Sequence, residues 1–439
     1  MKKLHIPVVF QASATELPYP DNYFDAVFTD PPYYNNVPYA DLSDFFYVWL
    51  KRSIGDLYPD LFSTPLTPKS EEICEMKSWD PQRYYYKDRE FFESMLKKSF
   101  QEICRVLKPD GIACIVFAHK STEAWESVIN ALLSSGLYIS ASWPIHTEME
   151  ARLRAKGSAA LASSIYMVCR KRTENKTAYF NEIKSQIEER IKEKLDQFWN
   201  EGIYGADFFI SAIGPALEIF GKYESVEKLS GEKVTAKELL DLVRKTVSEY
   251  ALTKILKNPQ LGDIDKETRF YILWRWIYNR AKVHFDDARK LAQAVGIELT
   301  EKWGKGFIKK ENENIIVLTP IERDKNFLEK KKFENMIDVL HACLIYWHQD
   351  NKKAITEILE ETGYLNNNTF WQVAQALSDI LPEEKDDEDN NKKGKKDKKD
   401  KDKEIKEKKL LQGFLYGKES YKKAKTKSDK YQNRLFEEE

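Results

Sequence analysis

The alternation of short apolar runs with amphipathic stretches over roughly the first 173 residues constrains the fold of this chain most. FDAVFTD, GIACIVFAH, YISASWPI and SSIYMVCRK are compact apolar runs, and an earlier run, IPVVFQAS, has the same character, so each predicts a strand. Between them, FFESMLKKSFQEICRVLK and TEAWESVINALLSSG have apolar residues at helical spacing. This alternation predicts an α/β fold with a mostly parallel sheet that helices cover on both faces.

Beyond residue 173, helical periodicity dominates the sequence. NEIKSQIEERIKEKLDQFW, TAKELLDLVRKTVSEYALTKIL and NMIDVLHACLIYWHQDNKKAITEILEET are amphipathic. Between the last two lies a helical stretch that breaks near Val283, followed by FIKKENENIIVLT, which predicts a β-hairpin turning on Glu311 to Asn314. Helix, helix and hairpin is the order of a winged helix. A structural helix pair with a surface hairpin has the same order and is the alternative interpretation.

The segment 383–409 differs in composition from the rest of the chain. It has 12 lysines and 11 acidic residues in 27 positions, so it lacks the apolar surface needed to offset chain entropy and predicts a charged, disordered linker. The tail over 410–439 regains apolar residues, and we expect a short helix there to dock on the body of the protein. The predicted organisation is 1–173, 174–382, 383–409 and 410–439.

Overall charge excludes a protein that binds nucleic acid through a global positive field. Lys and Arg number 70 and Asp and Glu 71, for a net charge of -1, so any contact with a polyanion must be local. The segment from Glu150 to Arg172 holds six basic residues and one acidic residue. Within it, Arg152, Arg154 and Lys156 are candidate phosphate contacts, and a solvated basic turn is the alternative.

Targeting signals and cysteine patterns narrow the class of protein further. No run of about 18 apolar residues occurs, and the N-terminus has no secretory signal, so we expect a cytoplasmic protein. The five cysteines are scattered without a CxxC pair, which indicates neither a disulfide framework nor a metal site. Hydrophobic residues make up 42% of the chain, which excludes wholesale disorder.

The segment that carries chemistry is Asp30-Pro31-Pro32-Tyr33. It follows the apolar run FDAVFT, so Asp30 is predicted at the carboxyl end of a strand, where open α/β sheets bind their ligands. Two prolines stiffen the turn and remove two N–H groups, which leaves carbonyl oxygens available to a ligand. An acid and a carbonyl can together hold an exocyclic amine, and Tyr33 offers a face on which an extruded base can stack. A Pro-Pro-Tyr peptide for a WW-type domain is the alternative, but it requires a disordered segment rather than a strand.

These four residues resemble the DPPY catalytic motif of amino-methyltransferases that act on adenine N6 in DNA. The resemblance is wider than the motif, and the chain is similar to DUF1156-type, adenine-specific DNA methylase-like proteins of prokaryotic defence loci. The similarity runs from near residue 5 to about 380 and resumes at EKKLLQGFLYGKE. The segments that carry it include QASATELPYPDNYFDAVFTDPPYYNNVPYADLSDFFYVWLKRS, FAHKSTEAWE, SWPIHTE, GSAALASSIYMVCRKR and GADFFISAIGPALEIFGKY.

The resemblance implies a role for each motif residue. Asp30 and the Pro31 carbonyl would accept hydrogen bonds from the target amine, Pro32 would shape the turn, and Tyr33 would stack on the flipped base. It further implies S-adenosyl-L-methionine as cofactor and DNA as partner, with a partial Rossmann-like methyltransferase sheet followed by a mostly α-helical region. Ser13 and Ala14 fall where such enzymes contact the cofactor's adenine, although many of them have an acid there. His119 follows the next strand, where a loop-capping role is the simpler interpretation.

One part of the resembled fold has no counterpart in this sequence. Methyltransferases of this class have a Gly-rich cofactor loop after their first strand, and residues 1–30 contain no glycine. We therefore expect the chain to be the C-terminal part of a split methylase whose second polypeptide carries the cofactor loop. A catalytically inactive DNA-binding or scaffolding component and an RNA amino-methyltransferase are the alternatives.

Overall fold

The computed structural model describes residues 7–9, 11–35, 37–119, 121–146, 163–172, 176–257, 261–323, 327–329, 333–382 and 395–421. The chain divides into two compact units, and each unit contains both helices and strands. The first comprises Met1–Glu148, Leu161–Lys194 and Ile210–Leu240, and the second comprises Met149–Ala160, Leu195–Phe209 and Asp241–Glu439. Within the described residues, no helix is long and apolar enough to span a membrane.

The first unit contains a four-stranded sheet with helices and a smaller pair of strands. Its elements, up to the helix that leads into the second unit, are β1 (Phe24–Thr29), α1 (Tyr39–Ile54), α2 (Arg89–Val106), β2 (Leu107–Phe117), α3 (Thr122–Leu133), β3 (Leu137–His146), β4 (Ser163–Lys171), β5 (Thr177–Tyr179), α4 (Phe180–Asn200), α5 (Ala206–Ser211), α6 (Ile213–Phe220), β6 (Ser225–Glu227) and α7 (Ala236–Ile255). Helices α4, α5 and α7 pass from one unit into the other.

The four-stranded sheet has the order β1-β2-β4-β3. Strands β1 and β2 are parallel, whereas β4 runs antiparallel to both β2 and β3. The sheet is therefore mixed rather than mostly parallel. Among the described residues, no strand pairs with the outer edge of β1.

Helices α2 and α3 form as their sequence signals predict. The Asp88 side chain accepts a hydrogen bond from the Phe91 N–H and begins α2, and Ser121 caps α3 in the same way through the Ala124 N–H. Each helix buries a continuous apolar face, and the two pack on each other. Gly136 then takes a positive φ of 88°, a conformation that glycine adopts without strain, where the chain turns into β3.

Helix α6 extends the first unit beyond the predicted boundary at residue 173. It packs against β3, and the Ser142 hydroxyl donates to the Glu218 carboxylate over 3.5 Å. Gly214 lies so close to Ser142 that a Cβ atom there would fall 1.9 Å from the serine oxygen. This close approach of helix and strand explains why residues 210–240 belong with the sheet rather than with the helical region.

The first predicted strand, IPVVFQAS, is wrong for the residues that the structure describes. Residues 7–9 and 11–13 form no strand, and Ser13 makes only an isolated bridge to Glu16. Val8 and Val9 are 79% and 91% exposed. An apolar run forms a strand only when a neighbouring strand satisfies its backbone, and no described strand lies beside this one.

The second unit is mostly helical, as the sequence predicts. Beyond α7, its elements are α8 (Lys266–Ile277), β7 (Val283–His284), α9 (Phe285–Ala294), β8 (Ile308–Glu311), β9 (Asn314–Val317), α10 (Met336–His348), α11 (Lys352–Glu361), α12 (Asn368–Ile380) and α13 (Lys395–Tyr416). The break near Val283 and the β8–β9 hairpin are confirmed. Strands β7, β9 and β8 form an antiparallel sheet in that order, and the hairpin pairs Glu311 with Asn314 across its turn.

Helix α13 differs from the predicted disordered linker. Residues 383–394 lie outside the described part of the chain, but from Lys395 the backbone is helical. The Glu407 carboxylate accepts a hydrogen bond from Arg275 over 2.8 Å, and Leu411 and Phe414 are buried against α12 and α10. The buried ion pair and the apolar residues of the tail anchor this highly charged helix, and tail docking is confirmed as far as residue 421.

Candidate active site

Polar side chains lie at the edge of the four-stranded sheet where β1 and β2 end and β4 begins. Strands β1 and β2 are parallel and end at Thr29 and Phe117, so the residues after them lie at the same edge. Because β4 is antiparallel to β2, its first residues, Ser163 and Ser164, lie at this edge as well. We call this the catalytic edge, after the role that the resemblance implies for Asp30, and define it by Asp30, His119 and Ser164.

Asp30 and Tyr33 lie close to each other at the catalytic edge. Burial raises the pKa of Tyr33, the nearby Asp30 carboxylate raises it further, and Ser164 of β4 lowers it. The phenol therefore stays protonated beside the acid. The Tyr33 ring is half-buried and meets Phe117 edge to face, with 5.2 Å between ring centroids.

The carbonyl oxygens of the two prolines differ in their hydrogen bonds. The Pro32 carbonyl accepts a hydrogen bond from the Tyr34 N–H over 3.1 Å. Among the described residues, no N–H or O–H group donates to the carbonyl oxygen of Pro31, although this proline is buried. A buried carbonyl without a donor is uncommon in folded proteins. Together with the exposed Asp30 carboxylate, it provides two acceptors on consecutive residues.

Tyr34 fixes the chain directly after the motif. Its φ of 53° lies in the left-handed region, which is strained for a residue other than glycine. The ring is buried against Phe92, and the hydroxyl donates to Glu123 over 3.1 Å. These contacts hold the strained backbone in place and thereby fix the direction in which the neighbouring Tyr33 side chain projects.

Ser164 and Tyr39 are site residues that the sequence did not indicate. Burial raises the pKa of Tyr39, and the Asp30 charge raises it further, so this exposed tyrosine at the start of α1 lies within electrostatic reach of Asp30. Ser164 could be found only from the topology, since the start of an antiparallel strand meets the carboxyl ends of its parallel neighbours.

His119 closes a loop at the catalytic edge. Its Nδ1 accepts a hydrogen bond from the Ser121 N–H over 3.0 Å, and its carbonyl accepts one from the Trp125 indole over 2.8 Å. The ring lies 6.5 Å from Phe117 between centroids and nearly parallel to it. These contacts are those of a loop cap at the start of α3.

Ser13 and Ala14, the predicted cofactor contacts, lie in a separate local turn. The Ser13 hydroxyl is 2.8 Å from the Thr15 hydroxyl, and its carbonyl accepts a hydrogen bond from the Glu16 N–H over 3.2 Å. Both residues are exposed. Within the described part of the chain, Ser13 makes no hydrogen bond to the Asp30–Tyr33 segment.

The predicted phosphate contacts, Arg152, Arg154 and Lys156, lie outside the described residues. Beyond the undescribed residues, the backbones of His146 and Ser163 pair across β3 and β4 at the catalytic edge.

The residues at the catalytic edge fit a target amine better than they fit a cofactor. Asp30 and the Pro31 carbonyl can each accept one N–H of an amino group, and Tyr33 and Tyr39 supply aromatic surface. S-adenosylmethionine needs a cradle of backbone N–H groups between adjacent strands, and no described strand lies on the outer side of β1. These residues alone do not fit the cofactor. Within the described residues, no group of three or more His, Cys, Asp or Glu side chains is placed to hold a metal.

Comparison of the chain with protein-family models, with curated proteins and with solved structures finds no match.

Proposed function

We propose that this chain is the target-binding part of an S-adenosylmethionine-dependent methyltransferase of the DUF1156 type, which modifies adenine N6 in DNA. The observation that carries the proposal is the pair of acceptors at Asp30 and Pro31, presented at the carboxyl end of β1. An amino group held by two acceptors has its lone pair directed away from both, toward an electrophile. Positioning of this kind supplies most of the rate of a direct methyl transfer.

The order of the strands supports the proposal. The resembled fold has the order 3-2-1-4-5-7-6, with the strand that ends at Asp30 in fourth place. If β1 is the fourth strand, β2, β3 and β4 are the fifth, sixth and seventh, and the observed order β1-β2-β4-β3 corresponds to 4-5-7-6. The expected neighbours of β1 on its other side would be the strands that carry the cofactor loop.

The proximity of Tyr33 to Asp30 is compatible with binding of the amine. A carboxylate offers about four acceptor positions, so Asp30 can face the Tyr33 hydroxyl and accept from a ligand at the same time. The aromatic face of Tyr33 would lie beside the position of a bound base. The methyl group would come from S-adenosylmethionine held at a site that a second polypeptide completes.

The helical unit supplies features suited to engaging DNA. Helix α8, strand β7, helix α9 and the β8–β9 hairpin follow in the order of a winged helix, which we propose for this region. The lysines in and near the hairpin already have partners, since Lys309 of β8 and Lys282 before β7 both pair with Glu311, and Lys310 lies 4.0 Å above the Trp303 ring. We therefore assign the main phosphate contacts to the segment of Arg152, Arg154 and Lys156, in a cytoplasmic enzyme of a defence locus.

Mass spectrometry of modified nucleosides tests the proposal in the host. Three strains are compared: one with the gene, one without it, and one with the Asp30→Ala allele. We expect N6-methyladenine in DNA in the first strain only. Methylated adenine in RNA that follows the same pattern would favour the RNA methyltransferase instead. Unchanged nucleosides in all three strains would favour the inactive scaffolding component.

A further inference from the structure

Helix α1 presents its apolar face to solvent and its polar face to the protein. Asp44 receives hydrogen bonds from the N–H and hydroxyl of Thr67 and pairs with Lys69 over 2.8 Å, and the Tyr47 hydroxyl donates to the Thr64 carbonyl. No residue of α1 is buried. The outward face carries Leu42, Phe45, Phe46, Trp49 and Leu50, which are 47–66% exposed. This is the reverse of the usual arrangement of a surface helix.

The residues that follow α1 directly add exposed apolar side chains, since Leu57, Tyr58 and Leu61 are 49–73% exposed. At such exposure, these three and the five of α1 together offer roughly 800 Å² of surface, against about 800 Å² per partner in a stable interface. Phe28 of β1 is 71% exposed as well. Monomeric proteins rarely leave an apolar surface of this size uncovered.

The outer edge of β1 provides a second, independent feature. Strand β1 pairs with β2 on one side, and no described strand pairs with it on the other. Ala26, Val27 and Phe28 make the strand apolar on both faces, as in strands that lie in the middle of a parallel sheet. An exposed, apolar edge strand is a template for pairing with another chain, and nothing described blocks it.

The two features meet at the catalytic edge. Strand β1 ends immediately before Asp30, and α1 begins nine residues later at Tyr39. Burial raises the pKa of Tyr39, and the Asp30 charge raises it further. A partner that pairs with β1 and covers α1 would therefore border the acceptor pair of Asp30 and Pro31.

We propose that the β1 edge and the α1 face form one docking surface for a second polypeptide that adds a parallel strand beside β1 and an apolar surface over α1. A parallel strand would bring its own carboxyl end beside Asp30 and create the crevice in which such sheets bind ligands. The nature of this occupant rests on the proposed function, whereas the docking surface rests on the exposed residues.

A second copy of this chain suits the surface less well. A twofold axis that paired the two β1 edges would make them antiparallel, so the two Asp30 residues would lie at opposite ends of the joined sheet. The crevice beside each Asp30 would then be bordered by the amino-terminal end of the other β1, where no ligand-binding loop follows a strand. A homodimer is thus the competing outcome in the test below.

The test uses the full chain and, as probe, the polypeptide encoded by the gene adjacent to its own. Phe45→Glu with Trp49→Glu places charge on the α1 face, and Tyr204→Glu with Leu229→Glu is the matched control at side chains that are 71% and 77% exposed. Affinity is measured by calorimetry, and hydrogen exchange of β1 amides is compared in the free and bound chain. Both variants should keep the wild-type melting temperature, because all four side chains are exposed.

We expect the wild type and the control to bind the probe alike, the α1 variant to bind at least tenfold more weakly, and the β1 amides to exchange more slowly in the complex. Failure of the probe to bind, equal binding by the α1 variant, or unchanged β1 exchange would overturn the inference. So would a homodimer that the α1 substitutions dissolve. Docking as expected without methyl transfer would refute only the proposed function. Methyl transfer by the chain alone would refute only the docking of a partner.

Discussion

The ring of Tyr33 meets the ring of Phe117 edge to face, with 5.2 Å between the centroids, so β2 supports the aromatic residue of the motif. The Asp30 carboxylate raises the pKa of Tyr33, and Ser164 of β4, more than 130 residues further along the chain, lowers it, so both residues lie near the same hydroxyl. The motif is therefore held by the sheet as well as by its own stiff turn. It presents its acceptors at a fixed place beside an open strand edge.

Substitution of Tyr33 separates its two contributions. We expect Tyr33→Ala to weaken the binding of a DNA duplex with an unpaired target adenine by about 1–3 kcal/mol, because the stacking surface is lost. Tyr33→Phe keeps the ring and removes only the hydroxyl near Asp30, so its effect should be smaller. Fluorescence anisotropy with labelled duplex measures both. Equal losses in the two variants would show that the hydroxyl, and not the ring, holds the base.

Removal of the Tyr34 hydroxyl tests how much its hydrogen bond to Glu123 stabilises the turn after the motif. In Tyr34→Phe, the hydrogen bond to Glu123 is lost while the ring still packs on Phe92, and we expect the free energy of unfolding to fall by about 0.5–1.5 kcal/mol. Urea denaturation provides the measurement. Ser94→Ala removes an exposed hydroxyl of α2 and serves as the control, with a smaller change expected. A loss no larger than that of the control would count against the role of this contact.

The buried ion pair between Arg275 and Glu407 anchors α13. Both side chains are under 10% exposed, so Glu407→Ala leaves a buried guanidinium without its partner and should cost about 3–5 kcal/mol of stability. Arg275→Met combined with Glu407→Leu removes both charges and should cost much less. Thermal unfolding of the three proteins distinguishes these cases. A double variant as unstable as Glu407→Ala would mean that packing, rather than charge burial, dominates.

Acid should destabilise the helical unit through Glu322. Partial burial opposes ionisation of this carboxyl, but the Arg280 guanidinium and the Thr319 N–H and hydroxyl outweigh it and lower its pKa to about 2. A depressed folded pKa contributes stability at neutral pH that is lost as the pH falls from about 4.5 toward 2. We expect Glu322→Gln to be less stable at pH 7 and to lose less stability on acidification. Parallel stability–pH curves for the two proteins would contradict this.

Local sequence signals were sufficient for most of the elements. Apolar runs bounded by caps gave β1, β2, β3, β4, α2 and α3, and a turn flanked by alternating residues gave the β8–β9 hairpin. The two clear failures depend on distant partners. The run IPVVFQAS finds no described neighbour and forms no strand in the residues described. Helix α13 is ordered because Glu407 meets Arg275, a contact that composition cannot reveal.

The candidate site was only partly accessible from the sequence. Asp30 and Tyr33 are adjacent in the chain, and a strand followed by an acid and two prolines indicates a ligand at a sheet edge. Ser164 lies near Tyr33 only through the antiparallel placement of β4, and Tyr39 lies near Asp30 only through the position at which α1 begins. The orientation of the apolar face of α1 could not be predicted either, because periodicity shows that a helix has an apolar face but not which way that face points.

Methyl transfer from radiolabelled S-adenosylmethionine to duplex DNA, by this chain in complex with the product of the adjacent gene, measures the contribution of Asp30. Asp30→Ala removes the acceptor oxygens of the side chain, and we expect the rate to fall by about 100-fold or more while the melting temperature stays unchanged, because Asp30 is exposed. Asp25→Ala, on the strand that ends just before Asp30 and also exposed, is the matched control and should transfer at the wild-type rate. An Asp30→Ala complex that methylates DNA as fast as the wild type would show that Asp30 does not hold the target amine.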